Sequence, residues 1–429
     1  MIKRICVVGI GYVGLPTAMA FAEAGYDVTG SDINSERVSK LNDGRSPIPE
    51  IITDERIQKL LDANKIAFTT DTPQAVRHSD AVLITVPTPL TSDKKPDLRA
   101  VRGAAEAVAE GIKRDTLVVL ESTVYPGVTE EIVQTIIEER TGLRAGSDFG
   151  LAYCPERYNP GDKKHTIKNI KRIVGAINEK WLEITAGMYS KISREQVIKV
   201  SSIKTAEAAK VIENTQRDLN IGLMNELALI FDRMGIDTRE VIKAAATKWN
   251  FHIYWPGPGV GGHCLPVDPY YLVYKSRELG YDPKIITAGR DVNDYMAIHV
   301  VNLCQRMLKD LVGKKVTVLG ASYKGNVGDA RESPAGRICE ELKKRGAKVF
   351  VHDPLVEERE IEDWGVRIEG FDEAIKDSDC IIIHSDHTQF KNLDLDICAE
   401  NMRTKAIVDS RGLIDQKKAS KKGFLLERI

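Results

Sequence analysis

The segment Ile5-Cys6-Val7-Val8-Gly9-Ile10-Gly11-Tyr12-Val13-Gly14-Leu15 opens the chain with an apolar run that leads into three spaced glycines. The apolar run predicts a buried strand, and a helical pattern follows from Leu15. Gly9 permits a tight turn, Gly11 lets the backbone approach a ligand, and Gly14 lets the helix pack closely on the strand. This strand–turn–helix predicts a Rossmann-like domain that binds a dinucleotide pyrophosphate at the helix N-terminus.

An acidic residue, Asp32, ends the second predicted strand. A carboxylate there can accept hydrogen bonds from the adenosine ribose hydroxyls and would repel a 2′-phosphate, which favours NAD over NADP. Later strand ends should line the same crevice, because ligands bind beyond the carboxyl edge of such sheets. We therefore expect the NAD site to include Gly9, Gly11, Tyr12, Val13, Gly14, Asp32, Arg37, Pro87, Thr88, Glu121 and Thr123.

Charge and cysteine content narrow the class of protein. The 61 basic and 62 acidic side chains of the 429 residues nearly cancel, which argues against nucleic acid or an anionic membrane as a partner. Seven cysteines at irregular positions favour reduced thiols over disulfides or zinc ligands. No signal segment or membrane-length apolar stretch is apparent. We expect a cytoplasmic protein without a metal site that acts on a small molecule.

Strand-length apolar runs alternate with helical stretches in the first half of the chain, which predicts βαβ units in a parallel sheet. The predicted strands are residues 5–8, 28–31, 81–86, 117–120 and 150–153. A long helix is then predicted from an N-cap at Ser202 to a stop at Gly235, and a second helix from a cap at Thr238. A loop rich in proline and glycine occupies 255–269, and long loops in compact enzymes are often functional.

The strand–helix alternation returns after Lys314, and Ser333-Pro334 predicts the start of a helix. Predicted strands follow at 316–319, 349–352, 380–384 and 406–409. The first strand of each α/β region ends in glycine, at Gly9 and Gly320, which indicates an ancient duplication. The predicted fold is α/β, with two Rossmann-like doubly wound domains joined by a central helical domain that contains the long spine helix. The predicted domain ranges are 1–200, 201–305 and 306–429.

One cysteine stands in a glycine-rich setting. Cys264 ends Gly259-Val260-Gly261-Gly262-His263-Cys264, and Asp268 follows four residues later. Glycines allow a ligand to approach closely, and a thiol with a lowered pKa can act as a nucleophile. The alternative is an inert buried cysteine, which is the commoner case.

Two further groups of polar residues are candidates for chemistry. Glu156 and Arg157 follow a predicted strand end; they could serve as a base and an anion partner, or form a surface salt bridge. Glu207, Lys210 and Asn214 recur at helical spacing on the spine helix. That polar row faces either solvent or, because its flanks are rich in alanine, a cleft.

Taken together and in order, these segments resemble the UDP-glucose/GDP-mannose dehydrogenase family over nearly the whole chain. The matching segments are the glycine turn, Cys154-Pro155-Glu156-Arg157-Tyr158-Asn159-Pro160-Gly161, Glu207 to Asn214, Gly261 to Asp268, and Ser322-Tyr323-Lys324 through Arg331-Glu332-Ser333-Pro334. The resemblance implies an NAD domain, a central dimerisation domain and a C-terminal domain that holds the nucleotide of a UDP-sugar. It also implies a four-electron oxidation of an alcohol to an acid with two NAD, and a homodimer or higher homo-oligomer.

The resemblance also implies residue roles. Cys264 would be the nucleophile, and Lys210 with Asn214 would steady the developing oxyanion. Asp268 and Glu156 would manage protons and water, Thr123 would position the reacting centre, and Arg331 would join the cofactor site. The implied substrate-binding residues are Glu156, Arg157, Lys210, Asn214, Gly261, Tyr323, Lys324 and Arg411. Residues 320–325 lack the spacing of the first glycine turn, which argues against a second dinucleotide site.

The identity of the sugar stays open at this point. The Gly-Gly-His-Cys form, Asp268-Pro269-Tyr270-Tyr271 and the run from Asn159 to His165 are similar to members that oxidise UDP-N-acetylhexosamines, and N-acetylglucosamine or N-acetylgalactosamine is favoured. Leu265-Pro266 departs from that form and leaves the manno epimer possible. Alternatives are a UDP-glucose 6-dehydrogenase, a two-electron dehydrogenase of the 3-hydroxyacid or 6-phosphogluconate type, and a catalytically silent NAD-binding module.

Overall fold

In the computed structural model, which describes residues 2–49, 51–157 and 166–429, the two predicted α/β regions form one mainly parallel and one fully parallel sheet. The chain divides into two compact units: Met1–Glu213 with Tyr270–Gly280, and Asn214–Pro269 with Tyr281–Ile429. The division falls inside two helices, Ile203–Met234 and Asp268–Glu278. The domain ranges predicted from the sequence stay predictions.

The first unit is built on an eight-stranded sheet in the order β3-β2-β1-β4-β5-β6-β7-β8. The described strands are β1 (Arg4–Val8), β2 (Asp27–Ser31), β3 (Ile66–Thr69), β4 (Ala81–Ile84), β5 (Leu117–Leu120), β6 (Gly150–Tyr153), β7 (Arg172–Ala176) and β8 (Val197–Lys199). Neighbours are parallel except β6 and β7, which are antiparallel. The strand predicted at 81–86 ends earlier, at Ile84, and the Thr85 hydroxyl that follows donates to the Gly9 carbonyl at 2.7 Å.

Helices of the first unit cover the faces of its sheet and bury a core that includes Leu15, Met19, Phe21 and Val119. They are α1 (Gly14–Glu23), α2 (Ser35–Asn42), α3 (Asp54–Asp62), α4 (Thr72–Arg77), α5 (Arg99–Gly111), α6 (Thr135–Thr141) and α7 (Glu179–Tyr189). A π-helical segment, Thr129–Gln134, precedes α6.

The central part of the chain is helical, as predicted. Its helices are α8 (Ile203–Met234), α9 (Thr238–Ala245), α10 (Asp268–Glu278) and α11 (Lys284–Leu308). Ser202 caps α8 by accepting the Thr205 N–H at 3.1 Å, and Gly235 follows with φ +70°. The predicted cap of α9 was wrong by one residue: Asp237, whose carboxylate accepts the N–H groups of Arg239 and Glu240, is the cap rather than Thr238.

The second unit contains a six-stranded parallel sheet in the order β11-β10-β9-β12-β13-β14. Its strands are β9 (Lys315–Leu319), β10 (Lys348–His352), β11 (Val366–Arg367), β12 (Cys380–Ile383), β13 (Ala406–Asp409) and β14 (Leu425–Arg428). Its remaining helices are α12 (Pro334–Lys344), α13 (Phe371–Ile375), α14 (Thr388–Lys391), α15 (Leu395–Asn401) and α16 (Gln416–Lys421).

The six strands of the second sheet follow the same order as β3-β2-β1-β4-β5-β6 of the first, which is the doubly wound order of dinucleotide-binding domains. The turn after the first strand repeats as well, since Gly9 and Gly320 have φ angles of +90° and +91°. The predicted fold class, two Rossmann-like domains and a helical middle, is confirmed. None of the described helices combines the length and apolar content that crossing a membrane requires.

Candidate active site

The glycine turn of the first unit has the geometry that the sequence predicts. A Cβ atom at Gly14 would lie 1.9 Å from the Gly9 carbonyl oxygen, whereas one at Gly11 would meet nothing within 4 Å. The side chain at the N-cap of α1, Val13, caps none of the helix N–H groups. An open backbone surface beside uncapped N–H groups suits a pyrophosphate, because these groups and the helix dipole attract anions. This part of the chain therefore fits NAD.

Asp32 is largely buried at the end of β2 and is tied to the glycine turn. Its Oδ2 accepts the Ile10 N–H at 3.1 Å and Arg37 Nη1 at 2.8 Å, and its Oδ1 accepts the Asn34 N–H at 2.9 Å. A carboxylate accepts about four hydrogen bonds, so these three bonds leave room for a ribose hydroxyl. Asp32 thus fixes the turn as well as offering the acceptor that favours NAD.

The ends of β4 and β5 are joined through two of the predicted residues. Thr88 Oγ1 donates to the Thr123 carbonyl at 2.8 Å, and the fully buried Tyr271 donates its hydroxyl to the Thr88 carbonyl at 2.5 Å. Tyr271 lies one turn after Asp268 on α10. Sequence reasoning did not assign it a role, although an aromatic residue one turn after a candidate catalytic acid was a usable signal.

Two predicted acids, Glu121 and Glu156, belong to a buried polar cluster. Tyr189 donates its hydroxyl to Glu121, and Arg172 Nη2 contacts Glu156 Oε2 at 3.0 Å. The Arg172 guanidinium also lies 5.1 Å from the centre of the Tyr189 ring. Burial raises the pKa of Glu121 to about 7. Arg172 and Tyr189 belong to no recognisable sequence motif and were missed.

Arg157 is engaged by an acid of the spine helix. Its Nη2 lies 2.7 Å from Glu213 Oε1, and its Nη1 donates to the Lys171 carbonyl at 2.9 Å. The side chain is about a quarter exposed, at 26%. A role of Arg157 in substrate binding therefore requires a ligand to share or replace these contacts, and it stays a prediction. The quoted run Tyr158 to His165 lies outside the described residues.

Glu207 does not face solvent or a cleft, the two options that the sequence left open. It is fully buried and accepts the Gly127 N–H at 2.6 Å, the Thr129 N–H at 2.9 Å and the Thr129 hydroxyl at 2.6 Å. Burial raises its pKa to about 7, against the effect of these donors. Glu207 thus holds the segment after Thr123. Lys210, one turn later, is half-buried.

The second unit brings Cys264, Asp268 and Asn214 to the start of α10. Cys264 is the partly exposed member of the seven cysteines, and the other six are buried. Its carbonyl accepts the Asp268 N–H at 2.8 Å, so the cysteine directly precedes the helix. Asp268 is almost fully buried, and its Oδ2 accepts Asn214 Nδ2 at 2.5 Å. The predicted catalytic residues of this unit are therefore grouped.

The glycine-rich loop before Cys264 packs on the segment that carries Tyr323. A Cβ atom at Gly261 would lie 2.8 Å from both Tyr323 Cβ and the Glu332 carbonyl oxygen, and one at Gly262 would lie 3.0 Å from the Tyr323 ring. Such distances exclude any side chain at Gly261 unless the backbone moves. Burial, together with the nearby Asp329 and Cys264, raises the pKa of Tyr323.

The start of this loop is held by a residue that sequence reasoning missed. Asn225 of α8 is fully buried; its Oδ1 accepts the Gly257 N–H at 2.9 Å and its Nδ2 donates to Asn293 Oδ1 at 2.8 Å. Asn293 of α11 in turn donates to Asp218 Oδ1 at 2.9 Å. A buried network between α8 and α11 therefore fixes the start of the loop at 255–269, which we call the Cys264 loop.

Three predicted cations of the second unit have different surroundings. Lys324 is exposed beside Tyr323. Arg331 pairs with Asp329 at 2.6 Å and is half exposed. Arg411 follows β13 and donates its Nε to the His384 carbonyl, after β12, at 2.5 Å. Lys324 and Arg411 both lie at the carboxyl edge of the second sheet, where doubly wound folds bind ligands.

Comparison with known proteins gives matches along the chain. Models of the UDP-glucose/GDP-mannose dehydrogenase family match residues 3–193 as the NAD binding domain, 204–295 as the central domain and 317–416 as the UDP binding domain. The chain is 42% identical over 426 residues to a UDP-N-acetyl-D-glucosamine 6-dehydrogenase of Pseudomonas aeruginosa, covering 97% of this chain and 98% of that protein. It is 46% identical over 364 residues to protein CapL of Staphylococcus aureus, covering 84% of each chain.

A solved structure agrees with these matches. The structure of a UDP-D-ManNAc dehydrogenase from Pyrococcus horikoshii has a TM-score of 0.91 and 35% identity, and the match covers 99% of each chain. The expected family, enzyme class and cofactor are confirmed. The chain belongs to the UDP-glucose/GDP-mannose dehydrogenase family and is an NAD-dependent nucleotide-sugar dehydrogenase.

Proposed function

We propose that this enzyme oxidises the C6 alcohol of a UDP-N-acetylhexosamine to the uronic acid, with Cys264 as the nucleophile. The observation that carries the proposal is the setting of Cys264. It is the partly exposed member of a set of otherwise buried cysteines, it precedes α10, and its loop packs on Tyr323 of the UDP-binding domain. A nucleophile held against the nucleotide-binding segment suits a substrate that carries its reacting carbon on a UDP group.

The proposed chemistry requires two oxidations at one carbon. NAD, held by the Gly9–Gly14 turn and Asp32, supplies a hydride acceptor for each oxidation. Cys264 Sγ adds to the C6 aldehyde and forms a thiohemiacetal, whose oxidation gives a thioester. Lys210 and Asn214 stabilise the negative oxygen, and Thr123 positions the reacting carbon. Water, aligned by Asp268 and Glu156, then cleaves the carbon–sulfur bond, releasing the acid and the free thiol.

For substrate binding, we propose that the cationic side chains of Lys324 and Arg411 bind the UDP part of the substrate. Lys324 and Arg411 suit a diphosphate by charge, with Tyr323 beside them, while Arg331 serves the cofactor side. Gly261 allows the Cys264 loop to pack against Tyr323, which keeps the thiol near a nucleotide bound at that segment. We also propose that Glu156 and Arg157 contact the sugar, which for Arg157 means sharing Glu213 with the ligand.

The named relatives support an N-acetylated hexosamine. The gluco enzyme of Pseudomonas aeruginosa is 42% identical and the manno enzyme of Pyrococcus horikoshii is 35% identical. We therefore propose UDP-N-acetylglucosamine or its galacto epimer as the substrate, with the manno epimer as the alternative, and a role in supplying precursors for polysaccharide or glycan synthesis.

We also propose a homodimer or higher homo-oligomer. Large apolar side chains are exposed on α8 and α11, among them Leu223 (50%), Met234 (62%) and Ile285 (76%). Exposed apolar side chains that gather on one surface mark sites of association, and we propose that these two helices supply such a surface. Sedimentation of the purified protein tests this part: a dimer or larger assembly is expected, and a monomer at micromolar concentration would contradict it.

The decisive experiment counts NADH formed per sugar consumed with UDP-N-acetylglucosamine, its galacto and manno epimers, and UDP-glucose. A ratio of about two with an acetylated sugar is expected, because a four-electron oxidation reduces two NAD. A ratio of about two with UDP-glucose and no turnover of the acetylated sugars would identify the enzyme as a UDP-glucose 6-dehydrogenase instead. A ratio of about one would indicate a two-electron dehydrogenase, and no turnover with any sugar would overturn the proposal.

A further inference from the structure

The segment that carries Tyr323 and Lys324 lies at the point where the second sheet reverses its strand order. β9 ends at Leu319 and β12 at Ile383, and these strands are neighbours at the centre of the sheet. Ligands of doubly wound sheets bind in the crevice at such a point. We call residues 322–326, which follow β9, the Tyr323 loop.

His387, which follows β12, is almost fully buried and contacts the Tyr323 loop at both ring nitrogens. Its Nδ1 accepts the Asn326 N–H at 3.0 Å. Its Nε2 lies 2.9 Å from Ser322 Oγ and 3.0 Å from Asp353 Oδ2. Because Nδ1 accepts, a ring proton lies on Nε2, which faces both the serine hydroxyl and the carboxylate. One imidazole therefore contacts both ends of the loop.

Asp353 anchors this arrangement from the end of β10. Besides His387, its carboxylate accepts the N–H groups of Ala321 at 2.7 Å and Ser322 at 3.0 Å, and Oδ1 accepts those of Leu355 and Val356 at 2.8 and 3.0 Å. These donors use about all the acceptor positions of a carboxylate. Asp353 occupies the position after the second strand that Asp32 occupies in the first sheet. Its acceptor positions are filled by protein donors, whereas Asp32 retains room for a ligand hydroxyl.

Further bonds tie the Tyr323 loop to the segment around His387. The Gly325 N–H donates to Asp386 Oδ1 at 3.2 Å, and the Thr388 N–H donates to Asn326 Oδ1 at 3.0 Å. Within the loop, Ser322 Oγ donates to the Lys324 carbonyl at 3.0 Å. The backbone of Lys324 is thus fixed through the same serine that His387 contacts.

The Tyr323 side chain transmits this position to the Cys264 loop, since its Cβ and ring approach Gly261 and Gly262 closely. We propose that His387 is a positioning residue for nucleotide recognition. By bridging Asp353 to the Tyr323 loop, it sets the places of Tyr323 and Lys324 for the UDP part of the substrate. This inference rests on the proposed function, because it requires that the loop bind UDP.

The structure offers a matched pair of variants for a test. His387 and His352 are both buried and both pack edge-on against Phe390, with ring centres 5.4 and 6.0 Å away. His352 bonds to the Ile368 carbonyl, at 2.9 Å, and not to the Tyr323 loop. Replacement of either histidine by phenylalanine keeps an aromatic ring in the core and removes its hydrogen bonds. The two variants therefore differ in their effect on the loop.

The test measures binding of UDP and of NAD to the full-length wild type and to the His387→Phe and His352→Phe variants by calorimetry. We expect His387→Phe to weaken UDP binding about ten-fold or more, because bonds to a carboxylate and two loop groups are lost. NAD affinity should change less than about two-fold, and His352→Phe should leave both affinities near wild type. With the UDP-sugar, KM should rise in His387→Phe while kcat stays near wild type.

Ser322→Ala is the second variant, for use if His387→Phe does not fold. It removes the contacts with His387 and with the Lys324 carbonyl, and it should weaken UDP binding about three-fold or more. If folded His387→Phe and Ser322→Ala bind UDP as tightly as the wild type, or if His352→Phe loses as much UDP affinity as His387→Phe, the inference is overturned while the proposed function stands. Failure of the wild type to bind UDP would overturn the proposed function and the inference with it.

Discussion

Asn214 Nδ2 donates to Asp268 Oδ2 over 2.5 Å, so a single amide joins the spine helix to the first turn of the helix that follows Cys264. Asp268 is almost fully buried, and the Asn214 amide supplies its carboxylate with a hydrogen-bond donor. The contact couples two residues for which we propose different tasks, stabilisation of the oxyanion and handling of protons.

Asn214→Asp is expected to place two carboxyl groups in contact. Two neighbouring carboxylates cannot both ionise without a large penalty, so one should take up a proton. We expect kcat to fall at least about ten-fold near pH 8 and to recover partly as the pH is lowered. Gln216→Glu, which adds the same charge on an exposed position of α8, is the control. An unchanged pH–rate profile in Asn214→Asp would contradict the prediction.

Gly11→Ala tests the cofactor site without disturbing the fold. A Cβ atom at Gly11 meets no described protein atom within 4 Å, so thermal stability should stay near wild type. The same methyl group would occupy the surface that the pyrophosphate approaches, and NAD affinity should fall at least about ten-fold. Gly103→Ala, on α5 with equally open space, should keep NAD affinity. Tight NAD binding by Gly11→Ala would place the cofactor elsewhere.

Glu121→Gln should change how stability depends on pH. Burial raises the pKa of Glu121 in the folded protein to about 7, from an ordinary value of 4.5. The protonated form is therefore favoured by folding, and the stability it contributes is complete below about pH 4.5 and lost as the pH rises through about 7. The effect is of the order of 3 kcal/mol at most.

Urea unfolding from about pH 5 to 8 measures this contribution. The wild type should lose stability over that range more steeply than Glu121→Gln, because the amide does not titrate. Glu139→Gln removes an exposed carboxyl group and should follow the wild type. Parallel curves for the wild type and Glu121→Gln would show that Glu121 is ionised throughout.

The fold and the candidate nucleophile were predictable because their signals are local. The glycine turn, the Ser202 cap and the cysteine in a glycine-rich loop each depend on a few consecutive residues. The supporting contacts were not predictable, because they join distant positions: Tyr271 and Thr88 are 183 residues apart, and His387 and Asn326 are 61 apart. Periodicity carries no information about such pairs.

The predictions that were wrong or missing also depend on contacts between distant residues. Glu207 fits a polar row by its spacing, yet it is buried because Gly127 and Thr129 supply donors from another element. Strand β8 was not predicted, since its short Val-Ile-Lys segment is exposed or half-buried and pairs at the sheet edge. Burial depends on the partner that tertiary structure supplies, and the sequence pattern of one element does not contain that partner.

Asn225→Ala should displace the loop that leads to Cys264. The variant leaves the buried Gly257 N–H without its acceptor, at a cost of about 1–3 kcal/mol. Part of this cost should appear as movement of the loop, so kcat should fall more than NAD affinity. Asn220→Ala, on the same helix, removes a bond to the Gln216 carbonyl and should be nearly neutral. Equal kcat in both variants would exclude a role for Asn225 in placing the loop.

Cys264→Ser should separate cofactor binding from acid formation. A serine hydroxyl is a much weaker nucleophile than a thiolate, so the variant should bind NAD normally and form no uronic acid. Iodoacetamide should inactivate the wild type by modifying Cys264 first, because the other six cysteines are buried, and bound UDP-sugar should slow this reaction. Cys398→Ala, which changes a buried thiol of α15, should retain activity and sensitivity to iodoacetamide. Undiminished uronate production by Cys264→Ser would rule out the thioester, and the second oxidation would then need another adduct, such as the hydrated aldehyde.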